Sequence, residues 1–231
     1  HGRSLMAAVS VLCLPLVFAL LPAGLAAQGA PGSTGEAWQI ITPAQASLVL
    51  GRDGALIGEL GRERRINVAL RTLPKYVGHA FVSVEDKRFY QHDGVDLVGV
   101  AGAIKDAVTK GNLRGASTIT QLLVGNMHPD LIDRRDVSAG RKLREQQAAR
   151  EMERHYTKEQ ILEVYMNQIF LGKHAYGFGA ACEIYFGKPL KDVTIAEAAM
   201  LAGLPKAPSA YNPINNPKRA RSRQLYIIER M

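Results

Sequence analysis

Two adjacent carboxylates, Glu85 and Asp86, end an apolar segment and are followed by Phe89, His92 and a glycine at position 94. An acid in apolar surroundings loses hydration, and its pKa rises toward the range that suits a general base. Glu85 is therefore the candidate base, and an ionised Asp86 would reinforce the shift. An acid pair at a helix end also caps backbone groups or pairs with neighbouring cations, so this stretch alone leaves both interpretations open.

A run of hydroxyl residues follows Gly115, with Ser117, Thr118 and Thr120 standing just before or beside Gln121. Small residues and hydroxyls let a phosphate approach backbone amides closely. Ser and Thr at the start of a helix more often simply cap it. The run alone therefore favours a cap over a phosphate contact.

A second candidate acid, Glu145, lies four residues after Arg141 and three after Lys142, on one face of a helix predicted over 141–154. We expect Leu143, Gln147 or Ala148, and Met152 on the apolar face of that helix. In an arbitrary helix the acid and arginine would form an ordinary surface ion pair of about 0.3–0.5 kcal/mol. The spacing by itself assigns no chemistry.

The elements that must position these side chains are mostly helical. Apolar periodicity, a leading proline at position 74, and the capping-box pairs Thr157/Gln160 and Thr194/Glu197 mark helix starts, and glycines mark ends. These signals predict helices over 74–84, 97–108, 141–154, 158–169, 177–182 and 194–203. The apolar segment over 97–108 is a core helix or a lipid-contacting one.

Before the helices, an Asp-Gly pair at positions 53 and 54 separates two β-rich runs over 46–50 and 55–60. Asp-Gly between apolar runs is typical of a β-hairpin. Further upstream, residues 5–27 are apolar and uncharged, long enough for a membrane span. We assign residues 1–27 to a signal anchor, with a cleaved signal peptide as the alternative, and 28–36 to a linker.

Composition limits the classes of protein and partner. With 231 residues, 47% of them hydrophobic, the chain can build one core, or one core and a small lobe. The net charge of +8 suits an anionic partner such as a membrane or a phosphorylated substrate. Nucleic acid is not favoured, because the basic residues form no aromatic-interleaved stripe. Cys13 and Cys182 predict neither a disulfide nor a cysteine metal site.

Taken together, five separated segments resemble the peptidoglycan glycosyltransferases, the family 51 domain of class A penicillin-binding proteins and monofunctional transglycosylases. These segments are Glu85–Gly94, Gly115–Gln121, Arg141–Glu145, Lys158–Asn167 and Glu197–Pro208. The resemblance covers about residues 37–231, which we assign to the glycosyltransferase domain, and the predicted anchor also fits it.

The resemblance implies a mainly α fold, with a lysozyme-like helical head and a small membrane-associated lobe. It implies a single-pass protein of the bacterial cytoplasmic membrane whose catalytic domain lies on the outer face. The implied reaction polymerises lipid II into a growing glycan strand, by inverting transfer to a 4-hydroxyl with loss of undecaprenyl diphosphate. Cell-wall synthesis proteins are further expected partners.

The resemblance also implies roles for individual residues. Glu85 would be the general base, and Glu145 would orient the site or assist the leaving diphosphate with a divalent metal, Mg²⁺ or Mn²⁺. Arg141 and Lys142 would neutralise the diphosphate. The other expected substrate contacts are Asp86, Phe89, His92, Ser117, Thr118, Thr120 and Gln121.

Three positions depart from the family pattern. Leu122 and Gly125 stand where the family usually has Gln and Lys, and Val137 stands where it has Arg, although Arg134 and Arg135 are near. Loss of such charge-assisted contacts costs about a few kcal/mol in a water-poor site. The departures leave open a non-catalytic lipid II-binding scaffold. A lysozyme-like lytic enzyme, which would share the helical head and the catalytic Glu, is the other alternative.

Overall fold

The computed structural model describes residues 36–41, 47–53, 56–60, 63–111 and 115–231. The predicted anchor over 1–27 and all but the last residue of the predicted linker lie outside this part of the chain. Among the residues described, no helix combines the length and the apolar character needed to cross a bilayer.

The described chain is mainly helical, as predicted. Its α-helices are α1 Lys75–Glu85, α2 Leu97–Lys110, α3 Ile119–Met127, α4 Ala139–His155, α5 Lys158–Gln168, α6 Phe178–Phe186, α7 Ile195–Gly203 and α8 Pro217–Ile228. The predicted helices correspond to α1, α2, α4, α5, α6 and α7. The predictions did not include α3 and α8.

Local signals account for several helix ends. Capping boxes start α5 at Thr157 and α7 at Thr194, which confirms both predictions. A third capping box, Thr118 with Gln121, starts α3. Gly111 ends α2 in the left-handed region at φ 62°, a conformation that glycine adopts without steric cost.

Two short β elements accompany the helices. The strands β1 Ser47–Leu50 and β2 Leu56–Leu60 pair antiparallel, which confirms the predicted hairpin. A second pairing, which was not predicted, joins β3 Arg64–Arg65 in parallel to β4 Ala175–Tyr176. It ties the segment before α1 to the segment before α6.

The core lies between α1 and the helices that surround it. Phe81 of α1 packs against Tyr165 of α5, with ring centroids 5.0 Å apart, and against Phe178 of α6 at 5.5 Å. Ile119 of α3 and Met152 of α4 are fully buried in the same cluster. Because α1 packs into this cluster through Phe81, the core fixes the position of its C-terminal residue, Glu85.

The lead-in to α1 is fixed by polar side chains of α5. Asn167 accepts a hydrogen bond from the Val68 amide and donates one to the Val68 carbonyl, both at 2.9 Å. Glu163 accepts one from the Leu70 amide at 2.7 Å. These bonds satisfy backbone groups that have no helical partner, and they hold the segment before α1 against α5.

The predicted apolar face of α4 was partly wrong. Leu143 is 52% exposed, whereas Glu145, Ala148, Ala149 and Met152 are buried. Periodicity assigns an acid to the surface, but this acid is neutralised by two neighbouring cations and can face α3. The buried stripe of α4 is therefore displaced from the position that hydrophobicity alone predicts.

Candidate active site

Glu85 faces a cleft of about 510 Å³. The end of α1, the segment before α3, the turn after α7 and α8 all contribute to its walls. Ser117, Lys206, Arg223 and Arg230 line the cleft together with Glu85. Lys87 and Arg88 also line the cleft, as do the acids Asp86 and Asp96. Five cations therefore face three acids, and the excess positive charge suits an anionic substrate.

The environment of Glu85 shifts its ionisation in the direction expected of a base. Burial raises the pKa of Glu85 above its usual value of 4.5, and the nearby charge of Asp86 raises it further. Arg223 and Lys206 act in the opposite sense, because a positive charge favours the carboxylate. Burial prevails, so Glu85 holds its proton more tightly than an exposed glutamate.

Asp86 lies at the wall of the cleft, but its side chain is only 2% exposed and is hydrogen-bonded within the domain. Its carboxylate accepts a hydrogen bond from the Ile119 amide at 3.0 Å and lies 3.0 Å from His92 Nε2. Phe89 is fully buried, with the Lys158 ammonium 4.5 Å from its ring centroid. These contacts join the end of α1 to the start of α3. Direct contact of Asp86, Phe89 and His92 with substrate stays a prediction, and their burial does not favour it.

Among the predicted hydroxyls, Ser117 is the one whose oxygen meets a cation. Its Oγ accepts a hydrogen bond from Lys142 Nζ at 2.9 Å. Thr118 lines the cleft but acts as a cap: its hydroxyl donates to the Gly94 carbonyl at 2.7 Å and accepts from the Gln121 amide at 3.2 Å. Ser117 is therefore available to a ligand, and Thr118 positions it.

Thr120 lies on the opposite side of α3 from the cleft. It is fully buried, and its hydroxyl donates to Glu153 of α4 at 2.5 Å. Glu153 in turn pairs with Lys158 at 2.6 Å. The structure gives Thr120 a role in holding α3 against α4, and its predicted substrate contact stays untested.

Glu145 forms the centre of a compact ionic cluster. The side chain is buried, at 4% exposure, and its two oxygens contact Arg141 Nη1 and Lys142 Nζ separately. Lys142 also reaches the Gln121 side-chain oxygen at 3.3 Å. Two cations with one carboxylate leave a formal excess of one positive charge, which favours an anionic ligand at this face of α3 and α4.

A family model described as Transglycosylase matches residues 53–231. The chain belongs to the transglycosylase family. The matched range contains the cleft, the Glu145 cluster and all eight helices described above.

This transglycosylase domain is similar to penicillin-binding protein 1A of Neisseria lactamica, with 46% identity over 197 residues, 85% of the chain. It is also 46% identical over 180 residues to penicillin-binding protein 1A of Haemophilus influenzae, across 78% of the chain. The chain spans 24% and 21% of the lengths of these two relatives. A crystal structure of the Haemophilus influenzae protein aligns with a TM-score of 0.44 at 29% identity, over 83% of this chain and 18% of that one.

The cations that the transglycosylase domain presents from α8 and from the residues just after it were missed in the sequence. Arg223 lies on α8, and Arg230 follows it by seven residues, just beyond the end of that helix. Both line the cleft together with Tyr226. That spacing was a usable signal. Nothing in it indicates, however, that this face of α8 lies opposite the end of α1, because that depends on tertiary packing.

The residues around Glu145 do not suit a divalent metal as they stand. Both carboxylate oxygens already face cations, and no group of three or more potential metal-ligating His, Cys, Asp or Glu side chains occurs in the part of the chain that the structure describes. A bound Mg²⁺ or Mn²⁺ requires several oxygen ligands. The metal contact of Glu145 therefore stays a prediction, and the described residues around Glu145 offer too few acidic or histidine ligands for a metal site.

Proposed function

We propose that this transglycosylase domain is a peptidoglycan glycosyltransferase that polymerises lipid II into glycan strands, with Glu85 as its general base. The observation that carries the proposal is the position of Glu85, a half-buried acid with a raised pKa, in a cleft that cations line on several sides. Family membership and the penicillin-binding protein 1A relatives support the same reaction class.

In the proposed reaction, Glu85 accepts the proton of the acceptor 4-hydroxyl as that oxygen attacks the anomeric carbon of the donor. The bond from this carbon to the diphosphate oxygen breaks, and the leaving diphosphate takes the electron pair. Attack from the face opposite the leaving group inverts the anomeric centre. Glu85 must be ionised at the start, and Arg223 and Lys206 favour that state.

The charge that develops on the leaving diphosphate needs fixed donors. Arg141 and Lys142 supply a forked guanidinium and an ammonium, held in place by Glu145. Ser117 adds a hydroxyl that is already hydrogen-bonded to Lys142. Because these groups are oriented before substrate binds, they stabilise the leaving group without reorganising.

An exposed apolar stripe on α2 supports action at a membrane surface. Leu97, Ala101, Ile104 and Val108 are exposed, and their spacing of four, three and four residues places them on one helical face. Val108 is 81% exposed. Such a face suits the interface of a bilayer, where the lipid tail of the donor is anchored. We place the domain at the outer face of the cytoplasmic membrane.

Polymerisation of lipid II by the purified protein, with glycan chains resolved on a gel, tests the proposal. We expect chains from the wild type and a loss of about 10²- to 10⁴-fold in rate for Glu85→Gln. Glu151→Gln removes a partly exposed acid on α4 that pairs with Arg154, and it should leave the rate unchanged.

Two results would contradict the proposal. A folded wild-type protein that binds lipid II but makes no chains is the non-catalytic scaffold. Cleavage of preformed glycan strands without polymerisation is the lytic enzyme.

A further inference from the structure

Arg134 crosses α3 at Gly125. A Cβ built on Gly125 would lie 3.0 Å from Cδ and 3.3 Å from Cγ of Arg134. These distances are at or below the tight end of real Cβ contacts, so the bare backbone of the glycine lets the arginine lie flat across the helix. The side chain comes from the connection between α3 and α4, residues 128–138.

The guanidinium of Arg134 is oriented by a neutral group. Its Nη1 donates a hydrogen bond to Asn126 Oδ1 at 2.7 Å. No carboxylate among the residues that the structure describes pairs with it. Arg135, the next residue, is exposed like Arg134 but differs in its partner, because it forms an ion pair with Asp133 at 3.1 Å. Arg134 thus keeps its full charge in a defined direction.

The position of Arg134 continues the face that carries the Glu145 cluster. Gly125 follows Gln121 by four residues on α3, so the two lie about one helical turn apart on the same side. Gln121 accepts a hydrogen bond from Lys142. From the other direction, Arg141 donates to the carbonyl of Asp136, two residues beyond Arg134.

The electrostatics of Tyr165 support this placement. Burial raises the pKa of Tyr165 above its usual range, Glu85 raises it further, and Arg134 lowers it. The Tyr165 hydroxyl is therefore close enough to both Glu85 and Arg134 for each charge to change its pKa.

We propose that Arg134 is a third diphosphate-binding cation of this site, delivered across Gly125 to the face that Arg141 and Lys142 form. The inference rests on the proposed function, since it assigns the residue to the same leaving group. With Arg134, the ionic cluster has a formal excess of two positive charges, three cations against Glu145. A sugar-linked polyprenyl diphosphate carries one negative charge on each phosphoryl group.

Binding of farnesyl diphosphate in detergent micelles, followed by isothermal titration calorimetry, tests the inference without requiring catalysis. Arg134→Ala should weaken binding by at least about tenfold, because it removes a charge-assisted contact. Arg135→Ala removes the same charge from the neighbouring residue and should bind as the wild type does. Adding Gly125→Lys to Arg134→Ala should restore most of the affinity, since a lysine there enters the space that the arginine vacates. Circular dichroism confirms that each variant is folded.

The outcomes separate this inference from the proposed function. If Arg134→Ala binds farnesyl diphosphate as tightly as Arg135→Ala, or if the wild type does not bind it, the inference is overturned whatever the polymerase assay shows. If Arg134→Ala alone loses affinity and the double variant regains it, the inference stands even for a wild type that makes no glycan. In that case the proposed function fails and the diphosphate site remains.

Discussion

At the scale of single residues, folding places the ionised carboxylate of Glu85 where it is less stable than in water. Burial disfavours its carboxylate, and the cations Arg223 and Lys206 offset part of that penalty. An apolar side chain at this position would not carry that penalty. The raised pKa is what a general base needs, because it strengthens the affinity for the acceptor proton.

Glu85→Gln should therefore stabilise the protein at neutral pH. The folded-state pKa of Glu85 lies above 4.5, so the folded protein binds the proton more tightly than the unfolded chain does. Stability is then lost as pH rises from about 4.5 through the folded pKa, and glutamine removes that loss. Thermal unfolding at pH 7 should give a higher Tm for the variant, and the difference should shrink below about pH 4.5. A variant less stable than the wild type at pH 7 would show that the carboxylate is not penalised.

Glu145 illustrates what sequence can and cannot give at this scale. The four-residue spacing to Arg141 predicts an ion pair, and the pair is present. Its burial, and the second pairing with Lys142, depend on how α4 packs against α3. Similarly, the sequence suggests that Asp86 caps or pairs, but its partners Ile119 and His92 follow from tertiary structure.

Divalent metal should have little effect on the protein in the absence of substrate, because Arg141 and Lys142 already occupy both oxygens of Glu145. We expect the Tm of the chelator-treated protein to stay the same on addition of Mg²⁺ or Mn²⁺. Glu145→Gln should lower the Tm, since two partly buried cations lose their counter-charge. A metal-induced rise in Tm that is present in the wild type and absent in Glu145→Gln would contradict this expectation and place the metal at Glu145.

At the scale of elements, local chemistry predicted most helix positions and little of their arrangement. The capping boxes at Thr157 and Thr194 start helices where expected, because cap and third residue satisfy each other's backbone groups. The hydroxyl run at Thr118 predicts a cap, but it does not by itself predict the helix α3 that follows. The polar, basic sequence of α8 gave no comparable apolar signal, although Ala220, Gln224 and Ile227 are buried.

The exposed stripe of α2 predicts a specific membrane dependence. Ile104→Glu or Val108→Glu places a charge on the face that we expect to enter the lipid interface, and either should reduce cosedimentation with phospholipid vesicles severalfold. Thr109→Glu adds the same charge beside Val108 but off the stripe, and should reduce it much less. Equal losses for all three variants would indicate that α2 contributes only through charge.

At the scale of the whole molecule, the cleft is a product of packing between distant segments. The base comes from α1, the hydroxyl from the segment before α3, and the opposing cations from the turn after α7 and from α8. Lys206 and the acid pair belong to segments that resemble the family. Arg223 and Arg230 belong to none of those segments. The proximity of Glu85 and Arg223 cannot be predicted from this one sequence, because it depends on how α1 packs against α7 and α8.

Arg223 connects this packing to the pH dependence of the reaction. A Cβ built on Gly203 of α7 would lie 2.9 Å from Arg223 Cγ, so α8 reaches the cleft by passing close to a bare backbone. The guanidinium lies 5.0 Å from the ring centroid of Tyr226 and lowers the pKa of Glu85. Burial raises the pKa of Glu85, and the fold offsets part of that rise through a side chain on α8.

Removing this charge should move the pH–rate profile in a defined direction. The polymerisation rate rises with pH as Glu85 ionises, and Arg223→Gln should shift that acidic limb to higher pH, because burial then acts on Glu85 with less opposition. The position of the limb is the measurement, since a lost substrate contact would lower the rate at every pH without moving it. Arg219→Gln removes an exposed cation from the same helix and should leave the limb in place. An unmoved limb in Arg223→Gln would mean that the charge on α8 does not control the base, and that Lys206 alone opposes the effect of burial.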